Sequence, residues 1–147
     1  MFQHIFVPTD GSDLSQETAR RAITFAKEIG ARITAFYAKP GYPVAYYGEG
    51  ALIDPVAPEK FVEMADQQAA EFLDFIKKLS EEAGVPCETT SATSDAPYEA
   101  IIEAATECGC DLIFMASHGR RGISALLLGS ETNKVLTYSK IPVLVYR

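Results

Sequence analysis

Apolar residues recur along this chain with two periods. Ile5-Phe6-Val7, Ile33-Thr34-Ala35-Phe36-Tyr37-Ala38, Leu112-Ile113-Phe114-Met115-Ala116 and Val143-Leu144-Val145-Tyr146 are compact apolar runs. Runs of this length, bounded by turn residues, predict buried strands. Between them the spacing is helical. Ala19, Ala22, Ile23, Ala26 and Ile29 predict a first helix. Its cap is Ser12 or Asp13, with Gln16 three residues after Asp13 as in a capping box, and Gly30 ends it. Residues 59–83 predict the longest helix, with Phe61, Met64, Ala65, Gln68, Ala69, Phe72, Ile76 and Leu79 on one stripe. Gly84-Val85-Pro86 stops it. Pro97 opens a third helix, whose apolar face is Ile101, Ile102, Ala105 and Cys108, and Gly109 ends it. Residues 130–139 predict a fourth.

One strand breaks the pattern. Cys87-Glu88-Thr89-Thr90-Ser91-Ala92 reads as a strand, but a polar one. Central parallel strands are buried on both faces, so a polar strand belongs at an edge. Strands alternating with helices imply a parallel sheet with helices on both faces. The expected fold is α/β: a single doubly wound domain over residues 1–147, with a five-stranded parallel sheet in the order 3-2-1-4-5. That order sets the first strand beside the fourth, where the winding reverses. The carboxyl ends of those two strands then form the crevice in which such folds bind ligands.

The last strand is apolar although Pro142 confines it to an edge or a strand start. An exposed apolar edge invites pairing. A second copy across a two-fold axis covers it, which predicts a homodimer through Val143–Tyr146. Residues 39–58 hold four prolines and three glycines and predict a long loop. Loops of this length in a compact domain are often lids or binding loops, and Tyr42, Tyr46 and Tyr47 give this one aromatic surface.

Composition narrows the function. The 147 residues are 48% hydrophobic and 22% charged, which is ordinary globular usage. No apolar run approaches the roughly 20 residues of a membrane span, and the first residues do not read as a signal peptide. A cytoplasmic protein is expected. The net charge is −7 and the thirteen Lys and Arg are scattered, which argues against a nucleic-acid partner. Cys87, Cys108 and Cys110 are odd in number and lack a second ligand pair, so neither a disulfide frame nor zinc is expected.

The chemistry gathers after the fourth strand. Ala116-Ser117-His118-Gly119-Arg120-Arg121-Gly122 leads through Leu127-Leu128-Gly129-Ser130-Glu131 into the last helix. Strand, glycine-bearing loop and helix start are how α/β proteins hold phosphate, with loop amides and a helix N-terminus aimed at one anion. Gly119 can let backbone approach an anion. Gly129 and Ser130 stand where the helix amides are free. Arg120 and Arg121 can add charge or be merely solvated. His118 can donate to phosphate or hold the loop. The loop is not a P-loop, since no Gly-Lys-Ser/Thr is present. The first turn, Pro8-Thr9-Asp10-Gly11-Ser12, lacks the three glycines of a dinucleotide fingerprint and of a pyrophosphate-binding ligase loop.

With Ile5-Phe6-Val7-Pro8-Thr9-Asp10-Gly11-Ser12, Met115-Ala116-Ser117-His118-Gly119, Leu127-Leu128-Gly129-Ser130 and Ile141-Pro142-Val143-Leu144-Val145, the chain resembles the universal stress proteins over its whole length. The resemblance implies the five-stranded fold, a dimer through the last strand, and ATP as the ligand in the branch that carries Gly-x2-Gly-x9-Gly-Ser/Thr. Gly119-x9-Gly129-Ser130 matches the second and third glycines, and Ala116 replaces the first. By the same resemblance Pro8, Thr9, Asp10 and Ala38 line the adenine and ribose side. Ser117, His118, Gly119, Arg120, Arg121 and Gly122 surround ribose and phosphates, and Gly129, Ser130 and Glu131 close the far end. AMP or ADP fits the same wall, with Mg²⁺ arriving on the phosphates. Glu131 beside a triphosphate would repel it unless its side chain turns away or places the Mg²⁺. No residue pairs a general base with a nucleophile, so catalysis is at most slow ATP hydrolysis. The competing expectation is a dimeric interaction protein that binds no nucleotide.

Overall fold

The computed structural model describes residues 1–43, 57–119 and 127–147. Among these residues five strands alternate with four helices: β1 His4–Thr9, α1 Asp13–Ile29, β2 Arg32–Lys39, α2 Pro58–Ala83, β3 Cys87–Thr93, α3 Pro97–Glu107, β4 Leu112–Ala116, α4 Ser130–Tyr138 and β5 Val143–Tyr146. The sheet runs β3-β2-β1-β4-β5, all parallel, as the polar third strand required. Every residue of β1 and β4 is buried, whereas β3 is largely open to solvent.

Strand alternation divides the core between two faces. Ile5, Val7, Ile33, Ala35, Leu112 and Phe114 face α1 and α2. Phe6, Phe36, Ile113 and Met115 face α3 and α4. Phe6 and Phe36 touch at the sheet centre, with ring centroids 5.3 Å apart. Burying one such aromatic removes enough apolar surface to be worth about 2–3 kcal/mol. Each face is therefore a core of its own, and the sheet is the wall that both share.

Local signals set most of the boundaries, with corrections. Ser12, not Asp13, is the N-cap of α1: its backbone is extended and its side chain accepts from the Ser15 amide at 3.2 Å. The capping box expected of Gln16 does not form. Its amide instead makes an ordinary helical bond to the Ser12 carbonyl at 3.0 Å. On α2 the core contact falls to Ala69, Leu73, Ile76 and Ser80, while Met64 and Gln68 turn outward. The start of α2 lies beyond the end of β2, where Asp66 pairs with Lys39, the strand's last residue, and Phe61 packs on Tyr42, so no core is there to receive the stripe. Ile29 is also exposed, at the last residue of α1. In the loop after β2, Tyr42 packs edge-on against Phe61, with centroids 5.5 Å apart. The Gly41 amide donates to Asp95 at 3.0 Å. Tyr46 and Tyr47 lie outside the described residues.

At the other end of the sheet, Asp111 stitches β1 to β4. Its two carboxylate oxygens accept from the amides of Gln3 and His4 at 2.9 and 3.0 Å. Burial alone would raise its pKa, but these bonds prevail and hold it below the usual carboxylate value.

Candidate functional site

Winding reverses between β1 and β4, so their carboxyl ends open a cleft. One wall is the turn after β1. Pro8 and Thr9 pair with Phe36 and Tyr37 across the sheet. The Thr9 hydroxyl is taken by the turn itself: it lies 3.0 Å from the Ser15 hydroxyl and accepts the Gly11 amide at 3.1 Å. Asp10 Oδ1 accepts the Ser12 amide at 2.9 Å, which locks the carboxylate in place over the start of α1. Ala38, near the end of β2, is half-buried and packs on the α3 side of the sheet.

The other wall is the loop after β4. Its two ends are stapled together. The Gly129 amide donates to the Ser117 carbonyl at 2.8 Å, and the buried Thr132 hydroxyl donates to the Ala116 carbonyl at 2.8 Å. The Ser117 amide in turn donates to the Tyr146 carbonyl at 2.8 Å, tying the loop to β5. The Ser117 hydroxyl and His118 Nδ1 are 3.1 Å apart. Both motif glycines are needed for room rather than for backbone freedom, since neither has a positive φ. A Cβ on Gly119 would run into Asp10 Oδ2. A Cβ on Gly129 would stand 3.0 Å from the His118 Cα. Asp10 and Gly119 thus meet across the cleft, as the strand order required.

The start of α4 completes the site. Its N-cap is Gly129, which has no side chain to cap the helix. Among the described residues the first-turn amides of α4 therefore receive no side-chain cap, unlike those of α1. Uncapped amides at a helix N-terminus suit an oxyanion. Ser130 stands exposed beside them.

Ala116 is the last residue of β4, in register with Tyr146. An extended strand position needs no glycine, so the alanine is accommodated without backbone strain. Arg120, Arg121 and Gly122 lie outside the described residues. Elsewhere, burial and then the neighbouring Cys108 push the Cys110 thiol up to about 12, which makes it unreactive. Among the described residues no three His, Cys, Asp or Glu side chains gather as a metal site. No described helix is long and apolar enough to cross a membrane.

Comparison with known proteins agrees with this geometry. The model of the universal stress protein family matches residues 1–147. The chain belongs to the universal stress protein family. It is 35% identical to universal stress protein MJ0531 of Methanocaldococcus jannaschii, over all of this chain and 83% of that one. It is 30% identical to universal stress protein YxiE of Bacillus subtilis, over the whole of both. Among solved structures it is similar to a universal stress protein in complex with cAMP, with TM-score 0.71 and 27% identity, covering 99% of this chain and 97% of that one.

Within this universal stress protein fold, Glu131 is engaged by α3. Its Oε2 accepts the Tyr98 amide at 2.8 Å, so the carboxylate caps α3, whose own N-cap residue, Ala96, offers no side chain. Lys134 stands 3.8 Å from its other oxygen. Glu131→Ala is expected to destabilise the fold by about 1 kcal/mol, a typical N-cap loss. Affinity for an anion at the start of α4 should stay within about twofold, a difference below 0.5 kcal/mol. Thermal unfolding and calorimetric titration check the two halves. A large gain in affinity would put the carboxylate beside the ligand instead. Thr132, Ser15 and the Glu131 cap were not marked by any motif. Only the lack of a capping side chain at Ala96 hinted that α3 would need help from elsewhere.

Proposed function

We propose that this chain is a cytoplasmic stress-response protein that binds an adenine nucleotide as a regulatory homodimer. The observation that carries the reading is the N-terminus of α4, which has no side-chain cap among the described residues and closes the loop whose Gly119 abuts Asp10. Pro8 and Ala38 would flank the adenine, and Asp10 would hold the ribose. Thr9 supports the turn from behind. Ser117, His118, Gly119, Arg120, Arg121 and Gly122 would follow the ribose and phosphates to Gly129 and Ser130. The Ser117 contact engages His118 Nδ1, which leaves Nε2 as the nitrogen to meet phosphate. The cAMP complex of a similar protein supports an adenine nucleotide as the ligand class. ATP is the favoured form, AMP and ADP the shorter ones, and Mg²⁺ would come on the phosphates. Hydrolysis, if any, would stay below about 1 s⁻¹, the low end of ordinary turnover.

Two measurements test this. Denaturing extraction of the purified protein should release adenine nucleotide. Calorimetric titration with MgATP, AMP and cAMP should show saturable binding with Kd below about 1 mM, or −4 kcal/mol. A protein that releases none and binds none at that concentration is an interaction module instead. The close approach of Asp10 to Gly119 favours that second reading, because it narrows the cleft. Neither nucleic acid nor membrane is part of the proposal.

The dimer rests on β5. Val143, Leu144, Val145 and Tyr146 form the edge of the sheet, and each remains partly exposed. An antiparallel β5 pair would cover them. Light scattering at micromolar concentration should report twice the chain mass, and a monomer would overturn the assembly.

A further inference from the structure

The sheet has a second end. A cavity of about 730 Å³ opens at the amino ends of the strands, away from the cleft. That volume lies within the range of small-molecule sites. It exists because three helices stop together there, α1 at Gly30, α2 at Gly84 and α3 just before Gly109. Each of these glycines turns the chain with a positive φ, at 73°, 74° and 71°. A Cβ on any of them would meet nothing within 4 Å, so the wall stays open.

Charge in the cavity is ordered. The last carbonyls of a helix carry its negative end; at α2 those of Ser80 and Glu81 accept the Val85 and Gly84 amides, and those of Glu82 and Ala83 have no partner among the described residues. The last turn of α2, which lines the cavity through Ala83 and Gly84, holds no basic residue to offset that. Lys27 and Arg32 also line the cavity, and neither is in an ion pair among the described residues. Asp111 is committed to the Gln3 and His4 amides. His4 is only 5% exposed, and its Nδ1 has no partner among the described residues. Burial, then Arg32, lower its pKa, so it adds no charge at neutral pH. Phe2, Ile29 and Val85 supply apolar wall, and Ile29 is the α1 stripe residue that no core covers.

A simple anion would meet the negative helix ends, and a simple cation would meet Lys27 and Arg32. A ligand carrying both charges satisfies both. We propose that this cavity is a second binding site, independent of the nucleotide cleft, for a small zwitterion with an apolar body, of the class of free amino acids. Its carboxylate would lie on Arg32 and Lys27, its ammonium on the carbonyl end of α2, and its side chain against Phe2 and Val85.

Nuclear magnetic resonance titration of the ¹⁵N-labelled full chain tests it. The probes are leucine, phenylalanine, and the N-acetyl and amide forms of each. Leucine or phenylalanine should move the amides of Gly30, Arg32, Gly84 and Gly109 saturably, with Gly119 and Gly129 unmoved. The acetylated and amidated forms, each lacking one charge, should bind at least about tenfold more weakly, a loss of 1.4 kcal/mol. Arg32→Ala and Lys27→Ala, both surface changes, should weaken binding likewise. Equal binding by the N-acetyl forms would make this a plain anion site and overturn the proposal. So would the absence of saturable shifts with every probe, or affinity indifferent to both substitutions.

Discussion

Gly119→Val is expected to abolish nucleotide binding while leaving the fold in place. The Cβ alone would run into Asp10 Oδ2, and the two further methyl groups would fill the gap between β1 and the loop. Asp10 has little freedom to retreat, because its Oδ1 holds the Ser12 amide at 2.9 Å. Affinity should fall at least about 100-fold, or 2.7 kcal/mol, since the ligand and the valine compete for one space. Gly119 itself is exposed and has no positive φ, so the fold should lose only about 1 kcal/mol, within the ordinary range of point substitutions. Calorimetry with MgATP reads the first number and thermal unfolding the second. Asp10→Ala separates crowding from contact. If Asp10 holds the ribose, that variant also weakens binding, although it opens the cleft. Valine at Gly119 with undiminished affinity would place the nucleotide elsewhere.

The architecture was legible because burial on two faces leaves a plain trace. β1 and β4 are mostly apolar, buried throughout and inside the sheet, and β3 is polar and lies at an edge. Those facts alone fix which strands neighbour the winding reversal, and hence that Asp10 meets Gly119. Legibility failed where two local signals compete or where a partner is distant in sequence. Ser12 and Asp13 are both good caps, and only the backbone angles decide between them. Glu131 adjoins a phosphate-type loop in sequence, yet packing of α4 on α3 brings the Tyr98 amide within 2.8 Å. The stripe on α2 was right in period, but periodicity does not say where the sheet beneath it ends. Met64 therefore points to solvent. The amino-end cavity was invisible for a related reason. Gly30, Gly84 and Gly109 each signal a helix end, but nothing local says that the three ends meet.

Gly11→Ala is expected to cost the fold about 3 kcal/mol, far more than one methyl group suggests. Gly11 has φ +77°, which strains any L side chain by roughly 1–2 kcal/mol. The added Cβ would also overlap the Phe72 ring, which α2 lays over the turn. Phe72 cannot swing aside freely, since it packs edge-on against Tyr37 with centroids 5.3 Å apart. Overpacking of this kind costs about 1–3 kcal/mol. At roughly 2–4 °C per kcal/mol for a chain of this size, the midpoint should drop by about 6–12 °C. Phe72→Leu in the same chain separates the two causes. The leucine should remove the overlap but not the backbone strain, so the double variant should be more stable than the sum of the singles by about 1–2 kcal/mol, as expected for residues in contact. Strict additivity would mean that Phe72 does not cover the turn. Asp10 precedes Gly11, so the same contact positions the carboxylate that faces the loop. Strain relieved by moving the turn should then appear as weaker nucleotide binding in Gly11→Ala, and its recovery in the double variant would show that α2 holds the cleft in shape.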